Sequence, residues 1–237
     1  MKRFYETVAT EAADTGHVVT LDGRLVKTQA RATLVLPTKA LAEAVAEEWR
    51  AQDDKIVPAN MPKTQLAYTA LDRVAPRHDD VVREVAAFGG TDLLCYRADE
   101  PKDLMTRQKD VWNPYLDWAR DILGAELQVT DGIMPIQQSD AALKTLMAEV
   151  AGHDAFELTV LHAFTNGLGS LVLALAYMKG YSPLQAVWQA SILDSLHQEE
   201  LWGLDQEVEE KRDAAYADLV AAGEFLSHLR TKTLESV

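Results

Sequence analysis

A single cysteine, Cys95, stands among 237 residues. That scarcity excludes an internal disulfide and any zinc site built from several thiolates, and it suits a reducing compartment. Basic charge is also in short supply: 23 Lys and Arg face 37 Asp and Glu, a formal net charge of -14. Such a surface repels nucleic acid and anionic lipid and suits solubility or a basic partner surface. No apolar run is long enough to span a bilayer. The uncharged stretch from Leu158 to Met178 contains His162, Thr165, Asn166, Gly167, Gly169 and Ser170. Its purely apolar part, after Ser170, falls well short of the roughly 20 residues a span requires. We read it as two buried helix pieces around a break at Asn166-Gly167. The first residues, MKRFYETVAT, lack the apolar centre of a secretory signal.

The motifs of common enzyme classes are missing too. There is no phosphate loop ending in Gly-Lys-Ser/Thr and no strand followed by a dinucleotide-binding glycine fingerprint. The glycine-rich segment Asn166 to Ser170 carries no lysine, and it reads as a break between helices. Gly167-Leu168-Gly169-Ser170-Leu171 breaks the spacing of a nucleophile elbow. Cys95 sits in the apolar sequence LLCY, where a thiol is inert.

What is present reads as strands first and helices afterwards. His17 to Leu21 and Leu25 to Thr28 flank Asp22-Gly23, a dipeptide suited to the positive φ angles of a two-residue hairpin turn. A further strand is predicted over Arg31 to Leu36, stopped by Pro37. A helix should run from Thr38 to about Gln52, with Leu41, Val45 and Trp49 four apart on its inner face. Pro62 and Thr64 open a helix reaching Val74, and another is predicted from Asp79 to Phe88, ended by Gly89-Gly90. Asp92 to Arg97 reads as a short buried strand. Beyond residue 100 the pattern is nearly all helical. Leu104 to Leu123 contains Pro114 and is closed by Gly124; Ser139 or Asp140 caps the next helix and Asp154 the one after. Leu127 to Thr130, before Asp131-Gly132, reads as a brief strand and turn. Ser182-Pro183 signals a helix start, and a last helix is predicted from Asp205 to Leu229. The expected fold class is α+β: a small N-terminal α/β portion over residues 1–100 with a hairpin-containing sheet, then a mostly helical domain over residues 101–237.

The stretch from Trp188 to Arg212 holds the residues that packing explains least. Trp188, Ile192 and Leu196 recur four apart as an apolar stripe, while Asp194, Gln198 and Trp202 recur four apart beside it. Glu199, Glu200, Asp205, Glu207, Glu209 and Glu210 make the segment strongly acidic. A solvated helix face accounts for the charges. It does not account for Trp202 beside Gly203, since a tryptophan framed by polar groups is a typical interface anchor. A competing reading is a metal- or small-molecule-dependent enzyme in the helical domain. Asp194, His197 and Glu200 lie three apart, and Glu-x-x-His pairs serve di-iron bundles, but the matching second pair such a site needs is missing.

The ordered set Arg3-Phe4-Tyr5, Leu21-Asp22-Gly23-Arg24, Lys27-Thr28, Leu36-Pro37, Glu48-Trp49 with Gln52, Met61-Pro62, Thr91 to Arg97, Arg107-Gln108 with Trp112, and Gln198 with Trp202-Gly203 resembles a known family. It is similar to the assembly chaperones of the F-type ATP synthase catalytic head, the kind that handles the alpha subunit. The resemblance runs to about Leu229, and the direct start makes the chain look like a bacterial member. Asn113-Pro114 stands where relatives often carry Asp-Pro, and Lys63 stands where an apolar residue is common. The resemblance implies a monomeric chaperone without catalysis or cofactor, cytoplasmic in a bacterium or in the mitochondrial matrix as a mature eukaryotic form. Its implied partner is the unassembled alpha subunit, shielded until the beta subunit pairs with it. The implied partner-binding residues are Asp194, Gln198, Glu199, Glu200, Trp202, Gly203 and Asp205.

Overall fold

A computed structural model describes residues 1–132 and 135–231. Residues 232–237, the last of the expected helical domain, lie outside the described residues. The chain divides into two compact units. The first comprises residues 1–78 and 154–160 and the segment from residue 220 onward; the second comprises residues 79–153 and 161–219.

The first unit is built on a four-stranded antiparallel sheet. Its centre is β2 (Gly16–Leu21), paired along its whole length with β1 (Val8–Ala13). Short β3 (Arg24–Leu25) and β4 (Val35–Leu36) also pair with β2, at its C-terminal and N-terminal ends respectively. The predicted turn is present: Asp22 and Gly23 have φ of 49° and 76° between paired Leu21 and Arg24. The Asp22 carboxylate accepts from the Glu6 and Thr7 amides and the Thr7 hydroxyl. The sequence reading missed β1 and overextended the strand before Pro37. Gly16 is fixed by close approach, since a Cβ there would lie 2.4 Å from the Leu36 carbonyl oxygen.

Helix α1 (Lys39–Arg50) follows, with Thr38 Oγ1 accepting from the Leu41 amide at 3.2 Å. It buries Leu41, Val45 and Trp49, the predicted inner face. Helix α2 (Pro62–Thr69) starts on its proline and continues into one π-helical segment, Ala70–Val74. Buried Glu48 serves as its cap: the carboxylate accepts from the Lys63 amide at 2.8 Å, the Thr64 amide at 2.8 Å and the Thr64 hydroxyl at 2.7 Å. The charge satisfies the open amides of the helix start and sits at its positive end.

In the second unit, α3 (His78–Ala87) begins one residue inside the first unit and ends in a 3₁₀ turn, Phe88–Gly90. The predicted strand over Asp92–Arg97 is instead a 3₁₀ turn, Leu93–Cys95, followed by two-residue β5 (Tyr96–Arg97). The cause is Asp92, whose carboxylate accepts from the Leu94 amide at 3.1 Å and curls the chain. Fully buried Asp92 also accepts from the Ser170 hydroxyl at 2.7 Å and the Val172 amide at 3.1 Å. Strand β5 pairs in parallel with β6 (Thr130–Asp131). Helix α4 (Lys102–Trp118) passes through Pro114, runs on as a π-helical segment over Ala119–Leu123, and stops at left-handed Gly124. Ser139 caps α5 (Asp140–Ala151), as predicted.

Helix α6 (Ala155–Leu168) begins in the first unit, capped by the Asp154 carboxylate, and ends in the second. The break in the uncharged run falls later than predicted, at Gly169 (φ 64°) and Ser170, which caps the wholly apolar start of α7 (Leu171–Met178). Gly167 stays within the helix, and its lack of a side chain makes room for Leu219, since a Cβ there would lie 2.8 Å from a Leu219 methyl. Helix α8 (Leu184–Ser191) is preceded by Pro183 as its boundary residue; Ser182 bonds the Tyr115 hydroxyl at 3.0 Å instead of capping. The expected continuous helix from Trp188 is broken at Ile192 (φ -102°, ψ 12°), and α9 (Leu193–Trp202) restarts there. Helix α10 (Gln206–Arg230) then runs from the second unit into the first. Within the first unit its end buries Phe225 against Phe156, ring centroids 6.3 Å apart.

Candidate functional site

All seven predicted partner-binding residues fall on α9 or the turn that follows it, within the second unit. One face of α9 is fixed inward by Leu193 and His197, both buried. His197 is 2% exposed and neither ring nitrogen has a hydrogen-bond partner among the described residues, so it is an interior side chain. Among the described residues no group of three His, Cys, Asp or Glu side chains is arranged to hold a metal ion. Asp194, His197 and Glu200 therefore do not assemble the rival metal site.

The stripe Asp194, Gln198, Trp202 shares a helix, but its members differ in surroundings. Asp194 is half-buried and accepts from the Gln108 side-chain amide at 2.8 Å. Gln108 is itself buried and accepts from the Ala98 amide at 2.8 Å, while its carbonyl takes the Arg97 guanidinium at 2.7 Å. Asp194 is thus anchored to α4 and β5 and has limited freedom to meet a partner. Gln198 is exposed, and Trp202 is 82% exposed. An indole this open in a structure whose other four tryptophans are buried has no packing role. Beside it stand Leu201, Leu204 and Val208, each about half exposed. These three companions were not singled out from sequence, although the order Leu201-Trp202-Gly203-Leu204 amid acidic residues was the available signal.

The turn is made by Gly203, whose φ of 88° suits glycine, with its amide donating to the Glu199 carbonyl at 2.9 Å. A Cβ at Gly203 would meet no atom within 4 Å. Asp205 then caps α10 by accepting from the Glu207 amide at 2.9 Å. The acidic residues are partly committed: Glu199 pairs with Arg212, and Glu200 with Arg107 of α4 at 2.9 Å. Hydrogen bonding to Glu199 pushes the Arg212 guanidinium upward from its ordinary pKa. Glu200 also borders a groove of about 710 Å³ between α4, α8 and α9. Its floor is Val111, Tyr115, Ala186, Leu193 and Leu196, and Tyr181 closes one side. The wall from α4 is held by the Trp112 indole N–H, which donates to the Ala190 carbonyl at 2.8 Å. Together these make an apolar prominence and groove edged by carboxylates. Cys95 is not an activated nucleophile, since burial pushes its thiol up to about 12.

A family model described as "ATP12 chaperone protein" matches residues 2–120. The crystal structure of Atp12 from Paracoccus denitrificans superposes with a TM-score of 0.93 at 39% identity, covering 97% of this chain and 98% of that one. The chain belongs to the ATP12 chaperone family. An aspartate-to-lysine mutant of the P. denitrificans protein superposes equally well, with TM-score 0.93. A solved structure from Agrobacterium tumefaciens gives 0.92 at 35% identity, over 97% of this chain and 86% of that one. The mitochondrial protein atp12 of Schizosaccharomyces pombe is 21% identical over 238 residues, covering 95% of this chain and 82% of that protein. ATP12 proteins are chaperones of ATP synthase assembly. No helix among the described residues is long and apolar enough to cross a membrane.

Proposed function

We propose that this ATP12 protein binds the unassembled alpha subunit of the ATP synthase catalytic head and covers the interface that the beta subunit later occupies. The observation that carries the reading is the bare Trp202 at the tip of α9, 82% exposed and flanked by exposed aliphatic side chains. An unassembled subunit presents a comparable apolar patch, and such patches associate indiscriminately in water. Covering it with Trp202, Leu201 and Leu204 removes that hazard, while Gln198, Glu199, Glu200 and Asp205 meet basic groups and set register and encounter rate. Asp194, through Gln108, holds α9 in position for this contact. Gly203 lets the chain turn close beneath the indole. Release follows when the beta subunit buries more of the same surface, so no nucleotide hydrolysis or cofactor is required. In this reading the client surface lies in the helical part after residue 100, the protein acts as a monomer, and in a bacterium it works in the cytoplasm.

The test uses purified alpha and beta subunits separately, with light scattering to follow aggregation and immobilised chaperone to measure capture. Wild type should capture alpha, keep it in solution and leave beta unbound. Gln198→Lys changes an exposed residue and should weaken capture while the circular dichroism spectrum and melting curve stay unchanged. Equal capture of beta would remove the alpha assignment; undiminished capture by the variant would remove α9 from the client surface.

A further inference from the structure

A second cavity in the same unit is chemically unlike the α9 surface. It has a volume of about 550 Å³ and runs along α4 beside β5 and β6, within the size range of small-ligand sites. Its lining holds three cations, Arg97, Lys102 and Lys109, against one carboxylate, Asp131. In a chain with 37 acidic and 23 basic residues that is a local inversion of charge. Lys102 and Lys109 are exposed and make no ion pair among the described residues.

Arg97 is the built part of the site. The residue is 8% exposed, and its guanidinium donates to three neutral oxygens: the Leu94 carbonyl at 2.9 Å, the Gln108 carbonyl at 2.7 Å and the Asn113 side-chain carbonyl at 3.0 Å. The guanidinium also lies over the Trp112 ring, 5.0 Å from its centroid. A guanidinium has five N–H donors, so each terminal nitrogen keeps one beyond those bonds. Burial lowers its pKa, countered by the charges of Asp131 and Asp194 nearby, yet no carboxylate forms an ion pair with it among the described residues. A desolvated cation with only neutral partners is costly unless an anion completes the set. Planar guanidinium with spare N–H groups matches a phosphate oxygen pair, and flanking ammonium groups add point charge. A single carboxylate ligand would leave cationic charge uncompensated. Met105 and Val129 give the cavity an apolar margin for an organic substituent.

We propose that this cavity is a binding site for a small polyanion of the phosphate class, gripped by Arg97 at its floor and by Lys102 and Lys109 at its mouth. The site is separate from the client surface, and its failure would leave that reading untouched.

Isothermal titration with sodium pyrophosphate tests it, at ionic strength held constant with sodium chloride and with thermal melting in parallel. Wild type should bind and melt at a higher temperature with the anion. The double variant Lys102→Glu, Lys109→Glu should lose at least tenfold in affinity while its melting temperature without pyrophosphate is unchanged. Asp131→Asn, which removes the one repelling carboxylate, should tighten binding. Absence of binding to wild type at millimolar pyrophosphate overturns the proposal, as does equal binding by the double variant or weaker binding by Asp131→Asn.

Discussion

Replacing Trp202 with alanine separates a docking residue from a packing residue, because the two roles predict opposite results in two measurements. A tryptophan buries about 150–250 Å² when fully covered, and 82% of its surface is open here. At about 25 cal/mol per Å² of apolar area, complete coverage by a partner would be worth roughly 3–5 kcal/mol. Alanine keeps part of that contact, so the truncation should cost about 2 kcal/mol, or about thirtyfold in Kd for the alpha subunit. Folding stability should hardly change. Exposed substitutions fall within about 0.5 kcal/mol, and alanine is the better helix former at the end of α9. Equilibrium urea unfolding gives the first quantity and titration calorimetry with monomeric alpha subunit the second. A Kd within twofold of wild type refutes the docking role. A loss of more than about 1 kcal/mol in folding stability would mean that the indole is covered in solution.

Other expectations concern the internal frame of each unit. Asp92→Ala leaves the buried Ser170 hydroxyl and the Leu94 and Val172 amides without their acceptor, at about 1–3 kcal/mol for each unmet group; a clear fall in the urea midpoint is expected, and an unchanged midpoint would contradict the assigned role. Asp22 accepts hydrogen bonds from the Thr7 backbone first and then Glu6, which holds its carboxyl below the ordinary value of 3.8. Its folded pKa is depressed, so its contribution is present above the unfolded value and lost as pH falls through the folded one. Carbon-detected NMR titration should find the Asp22 midpoint below 3.8, with a midpoint at or above that value counting against the hairpin anchor. Buried Cys95, its thiol pushed up to about 12, should resist an aromatic disulfide reagent in the native protein and react after unfolding in urea. Fast reaction without denaturant would show that the 3₁₀ turn around it opens readily.

Much of this architecture was legible because it is decided locally. The Asp22-Gly23 turn, the Thr38 and Ser139 caps, the Pro62 start and the Gly124 stop each follow from one or two residues whose chemistry admits few alternatives. The elements that escaped were decided at a distance. The strand β1 has the sequence VATEAA, half of it alanine, and it exists because β2 supplies its partner edge. Asp92 to Arg97 reads as a strand by hydropathy, and only the side chain of Asp92, tied to Ser170 and Val172 far along the chain, turns it into a 3₁₀ segment. Ile192 interrupts the helix without glycine or proline to announce it. Burial of His197 was illegible for the same reason: the face it shares with Leu193 is set by where α9 restarts.

The division between legible and hidden also explains why the family was easier to find than its working surface. Several residues carrying the resemblance are polar groups with structural duties. Glu48 caps α2, Gln52 accepts from the Val57 amide at 2.8 Å, Asp92 ties a turn to α7, and Gln108 joins Arg97 to Asp194. Buried polar groups tolerate few substitutes, because each lost partner leaves another group unmet. They therefore write a recognisable pattern into the chain whatever the protein binds. The residues at the tip of α9 obey no such constraint from the fold. Leu201, Trp202 and Leu204 are exposed, and under the proposed function the surface that completes them belongs to the client.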